Sequence, residues 1–127
     1  MNRPDARRRA ERSGRLAELL AALMLAGKGY RIAARRFRTP FGEIDLVARR
    51  GAALVFVEVK ARPDIADGLA AVGKRTQSRI AAAARAWLMR HPADATLEVR
   101  FDVIVMAPWR RPRHIVGAFD EIRGQNR

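Results

Sequence analysis

Two apolar segments joined by a tight connection constrain the fold of this chain most strongly. Residues 43–49 and 53–61 both alternate in the manner of β-strands, and the second is rich in valine. A two-residue loop at 51–52 would join them into a β-hairpin. In that pairing Asp45 lies directly opposite Glu58 on the neighbouring strand.

The predicted hairpin has one polar and one apolar face, because strand side chains alternate with a period of two. A register slip of two residues would set Glu43 against Glu58, yet it leaves the same side chains on each face. The polar face carries Glu43, Asp45, Glu58 and Lys60. The apolar face carries Ile44, Leu46, Ala48, Val55, Val57 and Val59, and we expect it to be core.

The remaining elements place this hairpin inside an α/β fold. Helical periodicity predicts helices over residues 14–28 and 69–90, and alternation predicts further strands over residues 30–38, 97–106 and 114–119. Turns are expected at residues 39–42 and 108–113, and a loop at residues 62–68. The order α-β-β-β-α-β-β predicts a mixed β-sheet flanked by helices.

The first predicted helix is apolar on nearly all sides, so we expect it to be buried. One stripe carries Leu16, Leu19, Leu20 and Leu23, and the opposite side carries Ala21, Ala22, Leu25 and the charged Glu18. An arginine-rich run followed by apolar residues has the outline of a signal peptide. Because Glu18 interrupts the apolar part, we expect no export.

Length and composition limit the architecture further. The chain has 127 residues, the size of one domain, which we place at residues 14–119. Residues 1–13 form a basic N-terminal arm, either frayed or a helix extension, and residues 120–127 form a C-terminal tail. The chain lacks cysteine, which excludes disulfides and thiolate chemistry and fits a cytoplasmic location. No stretch reaches the roughly 18 apolar residues of a membrane span.

The charge of the chain points to a polyanionic partner. Lysine and arginine number 26 against 13 acidic residues, which gives a net charge of +13. Nucleic acid is the first partner that such a surface suggests, and an anionic membrane face is the second. The charge does not separate a nuclease from a non-catalytic binder, because both would contact phosphates in the same way.

The polar face of the hairpin holds the residues most suited to chemistry. Opposed side chains in such a pair have Cβ atoms about 4.5–5.5 Å apart, so Asp45 and Glu58 would repel each other. A hard cation such as Mg²⁺ removes that conflict, with Mn²⁺ as a substitute, and the Val59 carbonyl is a further candidate ligand. Lys60 would hold an attacking water or stabilise charge on a phosphate oxygen. In the alternative interpretation the carboxylates are structural, and both form salt bridges with nearby arginines.

Two sequence blocks carry a family resemblance. Gly42-Glu43-Ile44-Asp45-Leu46-Val47, followed by Phe56-Val57-Glu58-Val59-Lys60, resembles the PD-(D/E)xK nuclease signature. From about residue 14 to 119 the chain resembles the YraN family of small bacterial proteins, which are regarded as candidate endonucleases and are similar to archaeal Holliday junction resolvases. Glu18, Gly29-Tyr30, Lys74 and Arg100-Phe101-Asp102 extend the likeness.

The resemblance implies a restriction-endonuclease-like fold and a set of site residues. Asp45 and Glu58 would bind Mg²⁺, Lys60 would be the catalytic lysine, and Glu18 would reach the site from the first helix. Glu43 would not bind the metal itself but would help to position the ligands. Junction resolvases act as symmetric dimers, so the resemblance also implies a homodimer.

Several basic and aromatic residues are candidates for contact with nucleic acid. They are Arg36, Arg38, Lys74, Arg75, Arg79, Trp109, Arg110 and Arg111. A solvated helix face is the ordinary interpretation of those on the second helix. Trp109 would either stack on an unpaired base or cover the edge of the sheet. Asp102 is either a partner for an arginine or part of the site, and His91 and His114 receive no role.

These observations lead to one expected function and one alternative. The expected function is Mg²⁺-dependent hydrolysis of phosphodiester bonds in DNA, with branched or junction DNA suggested by the resemblance alone. The alternative is a non-catalytic nucleic-acid-binding module that retains the nuclease fold, in which the carboxylates are structural.

Overall fold

A five-stranded mixed sheet forms the centre of the molecule, as the computed structural model shows. The backbone is described for residues 3–120 and the side chains for residues 14–120. The strands are β1 (Arg31–Thr39), β2 (Gly42–Arg50), β3 (Ala53–Ala61), β4 (Glu98–Met106) and β5 (Arg113–Phe119). They lie in chain order; β3 and β4 are parallel and the other pairs are antiparallel. The predicted α/β class and element order are confirmed.

The β2–β3 hairpin has the predicted register. Arg50 pairs with Ala53 and Leu46 with Val57, so the loop between the strands is the expected two residues. Gly51 in that loop has a φ of 57°, a left-handed conformation that glycine adopts without steric cost. The side chains of both strands therefore lie on the predicted faces of the hairpin, except that of Ile44.

Helices cover both faces of the hairpin. Helix α1 (Arg3–Gly27) packs on one face and helix α3 (Lys74–Arg90) on the other, and a short helix α2 (Ile65–Ala70) packs on β3 and β4. On the α1 side lie Leu46, Ala48, Val55 and Val57; on the α3 side lie Ile44, Val47, Leu54 and Phe56. The prediction that Ile44 shares a face with Leu46 is wrong, since Ile44 packs into the α3 cluster. On the α3 side, Glu43, Asp45, Glu58 and Lys60 therefore cluster near one end of the strands, next to the apolar Val47 and Phe56.

Helix α1 turns its small residues, and not its leucine stripe, toward the sheet. Ala17, Ala21, Ala22 and Leu25 are buried, whereas Leu16, Leu19, Leu20 and Leu23 are exposed by 56%, 40%, 48% and 61%. The prediction of a helix buried on all sides is therefore wrong. Alanine side chains allow the helix backbone to lie close to the sheet, so this face packs more densely than a leucine face would. The backbone of residues 3–13 continues the helix.

The second predicted helix is divided in two, which corrects both its start and the predicted loop. Asp64 caps α2 by accepting a hydrogen bond from the Asp67 backbone N–H at 2.8 Å. Residues 71–73 interrupt the helical path, and Gly73 then serves as the N-cap of α3. A 3₁₀ helix (Pro92–Thr96) that the sequence did not predict follows α3. Of the predicted C-terminal tail, residues 121–127 lie outside the described part of the chain.

No helix within the described residues is both long and apolar enough to cross a membrane.

The orientation of α1 predicts opposite outcomes for two substitutions. Ala21 is fully buried and Leu20 is 48% exposed. Ala21→Leu overpacks the contact with the sheet and should lower the free energy of unfolding by about 1–3 kcal/mol. Leu20→Ala should change it by no more than about 0.5 kcal/mol. Urea unfolding of both variants checks this, and a large loss for Leu20→Ala would contradict the orientation.

Candidate functional site

A cavity of about 280 Å³ opens between the hairpin and α3. Its walls bring together four of the residues singled out on the polar face and three residues from the first turns of α3. They are Glu43, Asp45, Glu58, Lys60, Thr76, Arg79 and Ile80. The sequence anticipated the four hairpin residues and Arg79, but gave Thr76 and Ile80 only a place on the helix. The break at Gly73, which starts α3 beside the strands, is what brings these two residues to the cavity.

Asp45 and Glu58 lie side by side just beyond the last backbone pair of the hairpin. The ladder ends at Leu46 and Val57, and beyond it the side chains of Asp45 and Glu58 lie within hydrogen-bonding reach of each other. There the Val59 backbone N–H donates to Asp45 Oδ2 at 2.8 Å. A side chain thus takes the position of a backbone acceptor, which holds Asp45 against the adjacent strand.

Burial and the neighbouring carboxyl group make Asp45 hard to ionise. Removal from water raises the pKa of Asp45 to about 8, and the hydrogen bond and the charge of Glu58 act in the same direction. The Val59 N–H and the Lys60 ammonium oppose this shift without overcoming it. Glu58 is 8% exposed, so water does little to screen the two groups from each other.

Lys60 brings a positive charge to the carboxylate pair. Its Nζ lies 3.6 Å from Glu58 Oε2, and its side chain is 22% exposed. Because the two residues are two apart on β3, they share one face of the strand, as predicted. Glu43 lies at the outer rim of the cavity, where its Oε2 is 3.7 Å from Arg38 Nε.

Glu18 does not line the cavity but holds an arginine beside it. Arg36 Nε donates to Glu18 Oε1 at 2.8 Å, and this bond is the main reason that the pKa of Arg36 is raised. In the β1–β2 register, Arg36 occupies the step opposite Asp45, between the pairs formed by Arg35 and Phe37. Its φ of 56° is left-handed, a strained conformation for a residue with a side chain. Glu18 thus binds Arg36, and the charges of Glu43 and Asp45 also raise the pKa of that arginine.

Asp102 belongs to a separate, buried network on the α1 side of the sheet. Its carboxylate accepts hydrogen bonds from Arg100 at 2.8 Å, from His114 Nε2 at 2.7 Å and from the Gly117 backbone at 3.0 Å. Tyr30 accepts from Arg100 at 2.6 Å. Asp102 is therefore a structural partner for an arginine, one of its two predicted roles. The sequence indicated no role for His114, because its partner Asp102 lies on the neighbouring strand and not nearby in the sequence.

Apart from Arg36 and Arg38 on β1, the candidate nucleic-acid contacts fall into two groups. Arg79 lies at the cavity, and Lys74 and Arg75 are exposed on the preceding turn of α3. Trp109, Arg110 and Arg111 lie together in the exposed turn between β4 and β5. Trp109 is fully exposed, so it does not cover the sheet edge.

Comparison with known proteins identifies relatives along most of the chain. The model of UPF0102, described as an uncharacterised protein family, matches residues 17–106. A UPF0102 protein of Nitrobacter winogradskyi is 58% identical over 108 residues, which cover 85% of this chain and 92% of that protein. One from Rhodopseudomonas palustris (strain BisB18) is 59% identical over 111 residues, covering 87% and 82%. The matched residues include both motif blocks of the hairpin.

The raised pKa of Asp45 predicts an unusual dependence of stability on pH. Folded Asp45 keeps its proton to about pH 8, whereas an unfolded aspartic acid releases it near pH 4. The native state therefore binds more protons in this window, and the group makes the protein less stable as pH rises. Because asparagine does not ionise, Asp45→Asn should gain stability relative to wild type between about pH 4 and about pH 8.

Thermal melts in a metal chelator across that window measure the effect. Asp94→Asn is the control, because hydrogen bonds from Arg49 lower the pKa of Asp94, so this variant should lose stability by a constant amount across the window. Parallel pH profiles for wild type and Asp45→Asn would contradict the burial of Asp45.

The Asp102 network predicts a loss of stability in acid. Burial alone would raise the pKa of Asp102, but hydrogen bonds from His114, Arg100 and Gly117 outweigh it and lower the pKa to about 2. Its contribution is therefore complete above about pH 4 and disappears as pH falls toward about 2. Asp102→Asn leaves Arg100 without its carboxylate and should cost about 3–5 kcal/mol. Urea unfolding at neutral pH and acid unfolding followed by circular dichroism check both statements; an unchanged acid limb would contradict them.

Proposed function

The chain belongs to the uncharacterised protein family UPF0102, which its motifs predicted under the name YraN, and we propose that it is a Mg²⁺-dependent endonuclease that hydrolyses phosphodiester bonds in DNA. One observation carries the proposal: Asp45 and Glu58 lie side by side in a cavity that also contains Lys60 and Arg79. Branched or junction DNA as the substrate, and a homodimer, are suggested by the resemblance to junction resolvases.

The chemistry of the donors fits a magnesium ion. Mg²⁺ prefers oxygen ligands and is usually held by one or two carboxylates, with water and substrate phosphate in its remaining positions. Asp45 and Glu58 supply such a pair. The N–H and C=O groups of a strand residue point the same way, so the Val59 carbonyl faces the same edge as the N–H that reaches Asp45. No group of three or more histidine, cysteine or acidic residues suited to a metal exists among the described residues, so water and substrate oxygens would have to supply the remaining ligands.

Each polar residue of the cavity then has a chemical task. When bound, the metal would act as a Lewis acid on the phosphate and lower the pKa of a bound water. Asp45 and Glu58 would hold it and fix its position relative to β2 and β3. The Lys60 ammonium would donate a hydrogen bond to the attacking water or to the phosphate oxygen that gains charge. Arg36, whose position is fixed by Glu18, would add a positive charge near Asp45.

The α3 side of the cavity supports the binding of a phosphate. Arg79 and Thr76 project from the first turns of α3, and the positive end of the helix dipole lies there. Lys74 and Arg75 extend the basic surface from the same turn. With a net charge of +13, long-range attraction would bring DNA to this face at low salt.

Cleavage assays on two variants test the proposal. Glu58→Gln removes a metal ligand and Lys60→Ala removes the ammonium, so each should slow Mg²⁺-dependent cleavage of branched DNA by about 100-fold or more. Glu98→Gln, an exposed glutamate on β4, is the matched control and should cleave at the wild-type rate. Unchanged cleavage by both site variants would refute the assignment.

Metal titration by calorimetry separates the enzyme from the non-catalytic alternative. Wild type should bind Mn²⁺ saturably, alone or with DNA bound, and Asp45→Asn should not. A ligand at a hundredfold excess over its Kd stabilises the fold by about 2.7 kcal/mol, which thermal melts would detect. DNA binding without metal binding or cleavage would favour the non-catalytic module.

A further inference from the structure

The turn between β4 and β5 presents an unpacked aromatic ring. Trp109 is 103% exposed, whereas Trp87 is 4% exposed and lies in the core. The Arg110 backbone N–H donates to the Ala107 carbonyl at 3.3 Å, which closes the turn. Trp109 has a φ of 62°, so it occupies the left-handed region that residues with side chains rarely adopt. Strained backbone conformations of this kind concentrate at functional sites, and packing does not explain this one.

The turn leaves the sheet at the same end as the candidate site. In the parallel β3–β4 ladder, Lys60 pairs with Val105 and Ala61 with Met106, and Arg62 N–H continues the ladder to the Met106 carbonyl at 3.1 Å. Trp109 follows Val105 by four residues, which span at most about 14 Å of extended chain. A nucleic-acid strand would therefore reach Trp109 within about four stacked nucleotides of Lys60, at 3.4 Å each, and within about six of Glu58, which pairs with Val103 two residues earlier.

The charge of the turn suits the backbone of such a strand. Residues 107–113 contain three arginines and no acidic residue. Arg110, Arg111 and Arg113 are all exposed, and none takes part in the ion pairs found among residues 14–120. These guanidinium groups are thus available for phosphates on either side of the ring.

We infer that the Trp109 turn is a stacking platform for an unpaired DNA base, so that the substrate class is DNA with a single-stranded segment next to the cleavage position. The inference rests on the proposed function for where the scissile phosphate lies. It narrows that function, because bases inside a continuous duplex are stacked on each other and expose no face to a protein ring. An unpaired base has a free face, and stacking on an aromatic ring with arginines alongside is the usual way to bind it.

Tryptophan fluorescence reports on this contact without any need for turnover. The chain has two tryptophans, and a bound base can reach Trp109 but not the buried Trp87. In a metal chelator, a single-stranded oligothymidylate should quench the emission of wild type, and a blunt duplex of the same length should leave it nearly unchanged. Trp109→Phe removes the quenched signal and leaves that of Trp87 as the background.

Affinities of four variants separate stacking from charge. Trp109→Ala should weaken single-strand binding by about 5- to 150-fold and leave duplex binding unchanged. Trp109→Phe keeps a ring and should retain most of the affinity. Arg111→Ala should weaken both forms of DNA alike and reduce the salt dependence. Met89→Ala, which removes another exposed apolar side chain at the far end of α3, should change neither.

The outcomes distinguish this inference from the nuclease proposal. Equal quenching by single strand and duplex, or unchanged single-strand affinity of Trp109→Ala, would overturn the stacking platform even if the protein cleaves DNA. Stronger quenching by oligouridylate would overturn the assignment to DNA. Selective quenching together with no cleavage of any DNA would leave the platform standing and count against the nuclease.

Discussion

Strand β3 is the element on which the rest of the structure depends, because it is buried on both faces and paired on both edges. From Leu54 to Glu58 every side chain is buried, with α1 on one side and α3 on the other. A polar residue within this stretch has to find its partner inside the protein. Glu58 is the first polar side chain that the strand carries, and it meets Asp45 where the antiparallel ladder ends.

The buried and half-buried acids of the molecule are satisfied in two different ways. Glu18, Asp94 and Asp102 each face an arginine at 2.7–2.8 Å, and hydrogen bonds lower the pKa values of Asp94 and Asp102. Asp45 instead accepts from a backbone N–H and faces a second carboxyl group, and its pKa is raised. The chain has 26 basic residues, so the lack of an arginine paired with Asp45 among the described residues does not follow from a shortage of basic side chains. Perturbed pairs of this kind concentrate at functional sites, which is why the contrast supports a metal site over an ion pair.

The sequence predicted local pairing well and the choice between helix faces poorly. The spacing around the two-residue loop was enough to bring Asp45, Glu58 and Lys60 together, since register follows from loop length. Helical periodicity identified the leucine stripe of α1, but it carried no information on whether leucine or alanine would meet the sheet. Ile44 departs from simple alternation near the end of the ladder. The His114–Asp102 contact joins two strands across a register shift, which a single sequence does not reveal.

Gly42, at the start of β2, and Gly68, in α2, fix how closely the helices pack on the sheet beside β3. A Cβ at Gly42 would lie 2.2 Å from the Arg79 carbonyl oxygen, and one at Gly68 would lie 2.3 Å from a methyl group of Val105. Helices α3 and α2 thus touch β2 and β4 with no space for even one added carbon. The walls of the cavity are set by these contacts before any ligand arrives. The adjustment of shape on binding therefore falls mainly on the ligand. For the proposed DNA substrate, a sequence or structure that bends easily costs less free energy to deform than a stiff duplex.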